Sequence, residues 1–129
     1  MGAGDLDAFV DAGWTLLSLG LVEGAEGNLS TFDGARLFIT RTGCELGRLT
    51  DADVLEGTLV EPPWQASSDL LLHLEAYRAN GPGAVAHAHP PGSVPEGWTE
   101  GEPHGVYVLR ATLAGAVAEI VRAARGIES

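Results

Sequence analysis

The chain has 129 residues, 45% of them hydrophobic, enough for a single domain over residues 1–129 with one core. A formal charge of −11, from 18 acidic and 7 basic residues, excludes the basic stripe that nucleic acid or an anionic membrane needs. All the basic residues are arginine, so no lysine can form a Schiff base, and the lone Cys44 excludes an internal disulfide and reads as a packing residue.

The N-terminal Met1-Gly2-Ala3-Gly4-Asp5 lacks the basic-then-apolar plan of a signal peptide, and no apolar run approaches the roughly 20 residues of a membrane span. A cytoplasmic location is the expectation. Over residues 5–20, Leu6, Phe9, Val10, Trp14 and Leu17 recur at helical spacing, with Asp5 as N-cap and Gly20 as stop. Residues 29–32 and 37–40 read as strands joined at Asp33-Gly34, a hairpin signal. Thr50-Asp51-Ala52-Asp53 opens a short helix ending at Gly57, and residues 58–60 read as a strand stopped by Pro62-Pro63. Residues 67–80 form a helix with Leu70, Leu71, Leu74 and Tyr77 on its buried side. A strand then carries Ala86-His87-Ala88-His89, a loop rich in Gly, Pro and Glu covers residues 91–103, and residues 106–109 form another strand. Thr112 caps a last helix with Leu113, Val117, Ile120 and Val121 on its apolar face.

Side chains two apart on a strand share a face, so His87 and His89 can close on one metal ion. A catalytic zinc site takes at least three protein ligands, so a third has to come from elsewhere in the chain. Gly27-Asn28-Leu29-Ser30 and Thr42-Gly43 are small polar groups at strand ends, and Ser67-Ser68 stand at a helix N-terminus. Such places suit an anion such as phosphate. Each taken singly is an ordinary turn or cap.

In their order along the chain, Asn28, Thr42-Gly43, Ser67-Ser68-Asp69, His87-x-His89 and His104-Gly105 together resemble the class II aldolase and adducin family, whose members carry Gly-Asn-x-Ser, Thr-x-x-Gly, Ser-Ser-Glu, His-x-His-Pro and His-Gly. The resemblance implies an α/β fold with a central, largely antiparallel sheet and helices on both faces, a shortened three-layer sandwich. It implies Zn²⁺ on His87, His89 and His104, and a substrate phosphate on Asn28, Thr42, Gly43, Ser67 and Ser68. Asp69 stands where the family's aldolases have a Glu, and is either the proton-transfer base or a fourth ligand. His73, one helical turn after Asp69, reads as a packing histidine or one that holds Asp69 or the strand in place, with ligation in place of His104 as the other reading.

The implied activity is that of a zinc-dependent lyase, cleaving a small phosphorylated ketose such as fuculose 1-phosphate through a metal-stabilised enediolate. The same site would serve a sugar-phosphate epimerase or dehydratase, and a non-catalytic, adducin-like assembly module is the reading from a different class. A homo-oligomer, a tetramer, is the implied assembly. The chain departs from the family in length: 14 residues, 90–103, separate His89 from His104, where full-length members carry several dozen. The tyrosine that serves the aldolases as an acid lies in that region, and neither Tyr77 nor Tyr107 matches it. Tyr107 reads as a strand residue. Core packing is the default for Trp64 and Trp98, with a cover over the shortened site or a subunit contact as the other readings.

Overall fold

The computed structural model describes residues 3–66, 69–89, 99–101 and 105–128. Strands β1 (Asn28–Phe32), β2 (Leu37–Thr40), β3 (Val54–Gly57), β4 (Gly83–Ala88), β5 (Thr99–Gly101) and β6 (Gly105–Arg110) build one sheet in the order β3-β2-β1-β4-β6-β5. Every neighbouring pair is antiparallel. The central strand, β4, reads Gly-Ala-Val-Ala-His-Ala and is buried along its whole length. Small residues let helices approach it from either side.

Period-two alternation sends the strands' side chains into two cores. On one face Leu29, Ala84, Ala86, Ala88, Val106 and Val108 pack with Phe9, Ala12 and Leu16 of α1 (Ala3–Ser18) and with Leu113, Ala116, Val117 and Ile120 of α3 (Leu113–Glu128). On the other, Phe32, Leu37, Ile39 and Val85 pack with Leu70, Leu74 and Tyr77 of α2 (Leu70–Asn80). Helices therefore cover both faces, as expected for the three-layer arrangement. No described helix is long and apolar enough to cross a membrane.

The hairpin forms as expected: the Asp33 carboxylate accepts from the Ala35 and Arg36 amides at 2.8 and 2.7 Å, closing the β1–β2 turn. Thr112 also caps α3 as expected, accepting the Gly115 amide at 3.0 Å.

Several boundaries differ. The short helix expected to run from Thr50 to Gly57 is only a 3-10 turn, Asp51–Asp53, followed by β3. Thr50 and Asp53 cap that turn reciprocally, and Val54 and Leu55 then pair with Thr40 and Ile39, so the chain is in the sheet where a helix would have continued. Residues 58–60 are not a strand. Thr58 accepts the Glu61 amide through its hydroxyl at 2.9 Å and turns the chain, leaving Val60 exposed. Leu71 points to solvent at 64% exposure; the buried side of α2 is Leu70, His73, Leu74 and Tyr77. Trp64 is 76% exposed, which removes it from the core, and Trp98 lies outside the described residues. The expected loop over residues 91–103 contains β5, paired with β6.

Candidate active site

Antiparallel register places Asn28 of β1 opposite His87 of β4, and His87 opposite Tyr107 of β6. Three strands thus present one polar row on the face covered by α2. Gly27 lets the row close up: its φ is +77°, and a Cβ there would lie 2.7 Å from the His87 carbonyl oxygen. From above, Asp69 at the N-terminus of α2, then His73 and Tyr77 at successive intervals of four, face the same row.

Around Asp69 the contacts are short. Its Oδ2 accepts from Asn28 Nδ2 at 2.8 Å and lies 3.0 Å from His87 Nδ1. His73 sits deeper, fully buried, with Nε2 hydrogen-bonded to Asn28 Oδ1 and Nδ1 2.6 Å from Ser30 Oγ, which is itself 2.6 Å from the Tyr77 hydroxyl. Tyr107 stacks on His87 with centroids 4.1 Å apart and meets His73 edge-on. His89, half-buried just past the end of β4, lies beside His87 with ring centroids 4.8 Å apart.

His87 Nε2 is buried with no hydrogen-bond partner among the described residues. The position of its proton follows from the neighbours. With a carboxylate 3.0 Å from Nδ1, the proton belongs on Nδ1, where it donates to Asp69, because the opposite tautomer would bury an N–H that has no acceptor among the described residues. Nε2 is then a bare lone pair. An imidazole tied to a carboxylate through one nitrogen and open at the other is the donor a divalent metal takes. Among the described residues no group of three or more His, Cys, Asp or Glu is arranged to hold a metal ion.

Burial holds both histidines neutral. The His73 pKa is pushed down to about 3, by burial first and then by His87, against the opposing pull of Asp69. Burial pushes His87 down to about 4, again against Asp69. Among the described residues the buried Tyr107 hydroxyl has no well-aligned partner, and burial with the nearby Asp69 carboxylate pushes the phenol upward, so it stays protonated. A histidine lowered on folding binds its proton more readily in the unfolded chain. Stability is therefore complete above pH 6.5 and falls as pH drops, toward about 4 for His87 and about 3 for His73, by up to about 1.4 kcal/mol per pH unit for each histidine still titrating. Chemical denaturation of metal-free protein is expected to show this slope, reduced by half between pH 6.5 and about 4 in His73→Gln.

The site residues expected from the sequence are distributed as follows. His87, His89, Asp69, Asn28 and His73 come together at the ends of β1, β4 and α2. Thr42-Gly43 forms an exposed turn after β2, with Gly43 at φ +79°. The Thr42 amide donates to the Gln65 carbonyl at 3.0 Å and Arg41 bridges Ala66, so this turn runs beside the segment entering α2. Ser67, Ser68 and His104 lie outside the described residues. Ser30, expected in an anion-facing strand end, is instead buried with its hydroxyl against His73 and Tyr77, and sequence reasoning missed Tyr77 and Tyr107 as members of the cluster. The signals were Ser30 two residues beyond Asn28 on the same strand face, Tyr77 four beyond His73, and the cross-strand register of Tyr107.

Residues 7–99 match the model of the Class II Aldolase and Adducin N-terminal domain. A methylthioribulose-1-phosphate dehydratase of Gluconobacter oxydans is 42% identical over 87 residues, 62% of this chain and 41% of that protein. An L-fuculose phosphate aldolase of Methanococcus maripaludis is 34% identical over 90 residues, 66% of this chain and 49% of that protein. The crystal structure of the L-fuculose-1-phosphate aldolase of Thermus thermophilus superposes with a TM-score of 0.64 at 39% identity, over 70% of this chain and 49% of that one. The chain spans about half or less of the length of the curated relatives it matches. With the match covering most of its length, this chain belongs to the class II aldolase and adducin N-terminal domain family.

Proposed function

We propose that the chain is a divalent-metal-dependent lyase acting on a small ketose phosphate, with zinc as the metal and His87, His89 and His104 as its ligands. The observation that carries this reading is His87, whose Nδ1 is engaged by Asp69 while the buried Nε2 has no partner among the described residues. Three imidazoles suit zinc among the common divalent ions. When bound, such an ion draws electron density from the substrate's carbonyl oxygen and stabilises the negative charge that develops there.

The chain's own residues supply the rest. Asn28, Thr42, Gly43, Ser67 and Ser68 are the proposed phosphate set, with N–H and hydroxyl donors to offer a dianion. Asp69, 15% exposed at its side chain, is the proton-transfer base. In a retro-aldol cleavage its carboxylate takes the proton of the hydroxyl on the carbon that becomes the aldehyde and returns it to the carbon left on the carbonyl-bearing fragment. In a dehydration it takes the proton from the carbon beside the carbonyl and gives it to the hydroxyl leaving the next carbon, which departs as water. The 42% identity to a protein named as a dehydratase favours the second reaction as the alternative. Cytoplasmic location and a homo-oligomer, a tetramer, belong to the same proposal.

Metal analysis of purified protein beside His87→Ala and His104→Ala tests the site, and product analysis with a panel of ketose 1-phosphates tests the reaction. Near-stoichiometric zinc, lost in both variants, is expected. Release of dihydroxyacetone phosphate identifies an aldolase, and loss of water without carbon–carbon cleavage identifies a dehydratase. Metal content unchanged by His87→Ala would overturn the reading and leave a non-catalytic assembly module.

A further inference from the structure

The buried contacts beneath Asp69 fix the direction of every hydrogen bond in a five-residue chain. Asp69 accepts only, so the Asn28 group facing it at 2.8 Å is the amide nitrogen, and Asn28 Oδ1 points the other way. That oxygen needs a donor, so His73 carries its proton on Nε2 and its Nδ1 is an acceptor. Ser30 Oγ, 2.6 Å from Nδ1, must then donate to it. The Tyr77 hydroxyl, 2.6 Å from Ser30 Oγ and held protonated by burial, donates to the serine in turn. Asn28, Ser30, His73 and Tyr77 are all buried, so water offers no substitute partner, and reversing any one link puts two donors or two acceptors face to face.

We propose that Ser30 and His73 are positioning residues: the relay Tyr77→Ser30→His73→Asn28 locks the Asn28 amide with its nitrogen toward Asp69 and His87. Asn28 Nδ2 and His87 Nδ1, 3.0 Å apart, both donate to the one carboxylate oxygen rather than one to the other, because the anion is the stronger acceptor, so the Asp69 carboxylate is oriented and the His87 proton is kept on Nδ1. His73 therefore acts on Asp69 through Asn28. The catalytic use of this orientation rests on the lyase reading above, whereas the hydrogen-bond directions do not.

Long-range ¹H–¹⁵N spectra of the imidazoles, recorded on the metal-free full chain at pH 7, test it without any assay. The expected result is a single tautomer at each site, Nε2–H for His73 and Nδ1–H for His87. Ser30→Ala removes the donor to His73 and is expected to shift the His87 tautomer ratio about fivefold toward Nε2–H, while Ser30→Thr, which keeps the hydroxyl, restores it. A His73 proton on Nδ1 in the unsubstituted protein, or a His87 ratio indifferent to Ser30→Ala in folded protein, would overturn the proposal. The expected spectra in a protein without turnover would support the relay and count against the lyase reading alone.

Discussion

Asp69→Asn is expected to lower kcat by about 10²–10⁴-fold, the usual contribution of a positioned general base, with KM for the ketose phosphate nearly unchanged. The substitution preserves size and leaves an oxygen to accept from Asn28 and His87, so the fold and the polar row should survive it. It removes the charge that can take up a proton. The same variant separates the two roles open to this residue. If Asp69 is the base, zinc content stays at the unsubstituted level while turnover falls. Zinc and turnover falling together would make Asp69 a ligand. Steady-state kinetics beside metal analysis of one preparation therefore decide between them, and Asp69→Glu, which restores the longer acid expected of the family's aldolases, is expected to retain part of the activity only in the first case.

How far the sequence leads is best seen on α2 and β4. Period two alone places His87 and His89 on one face of a strand, and the structure has the rings 4.8 Å apart. Helical period also places His73 below Asp69. What no local pattern contains is the register across strands: Asn28 opposite His87 and His87 opposite Tyr107 are facts about pairing between segments some 20 to 60 residues apart. The relay through Ser30 is hidden for the same reason, because its hydroxyl reads as one facing an anion until a helix residue is known to sit over it. The misread segment after Thr50 has a different origin. Thr50 and Asp53 form a genuine N-terminal capping box, but a cap only starts a helix, and Val54-Leu55 gain more from pairing with β2 than from continuing the turn.

Gly13→Ala is expected to destabilise the protein by about 2–4 kcal/mol, lowering Tm by roughly 8–15 °C, although the same change inside a helix ordinarily stabilises by up to about 1 kcal/mol. The sign is decided by what lies against α1. A Cβ on Gly13 would come 1.9 Å from the carbonyl oxygen of Leu46 and 2.8 Å from its carbon, both backbone atoms that cannot rotate away. Leu46 is completely buried, and its 3-10 turn, Leu46–Arg48, is pinned on the other side where Gly47 meets the Leu17 side chain of the same helix. Helix and turn would have to separate by more than an ångström, opening space around Leu16 and Leu46 in the core. Gly115→Ala, in the first turn of α3, is the matched control: its nearest neighbour would be the Thr112 hydroxyl at 3.2 Å, and a change within about 1 kcal/mol is expected. Thermal and urea unfolding of the two variants measure the difference directly. Because the turn follows Thr42-Gly43 by only two residues, the Gly13 variant is also expected to weaken binding at the proposed phosphate site at temperatures where it remains folded, whereas Gly115→Ala is not.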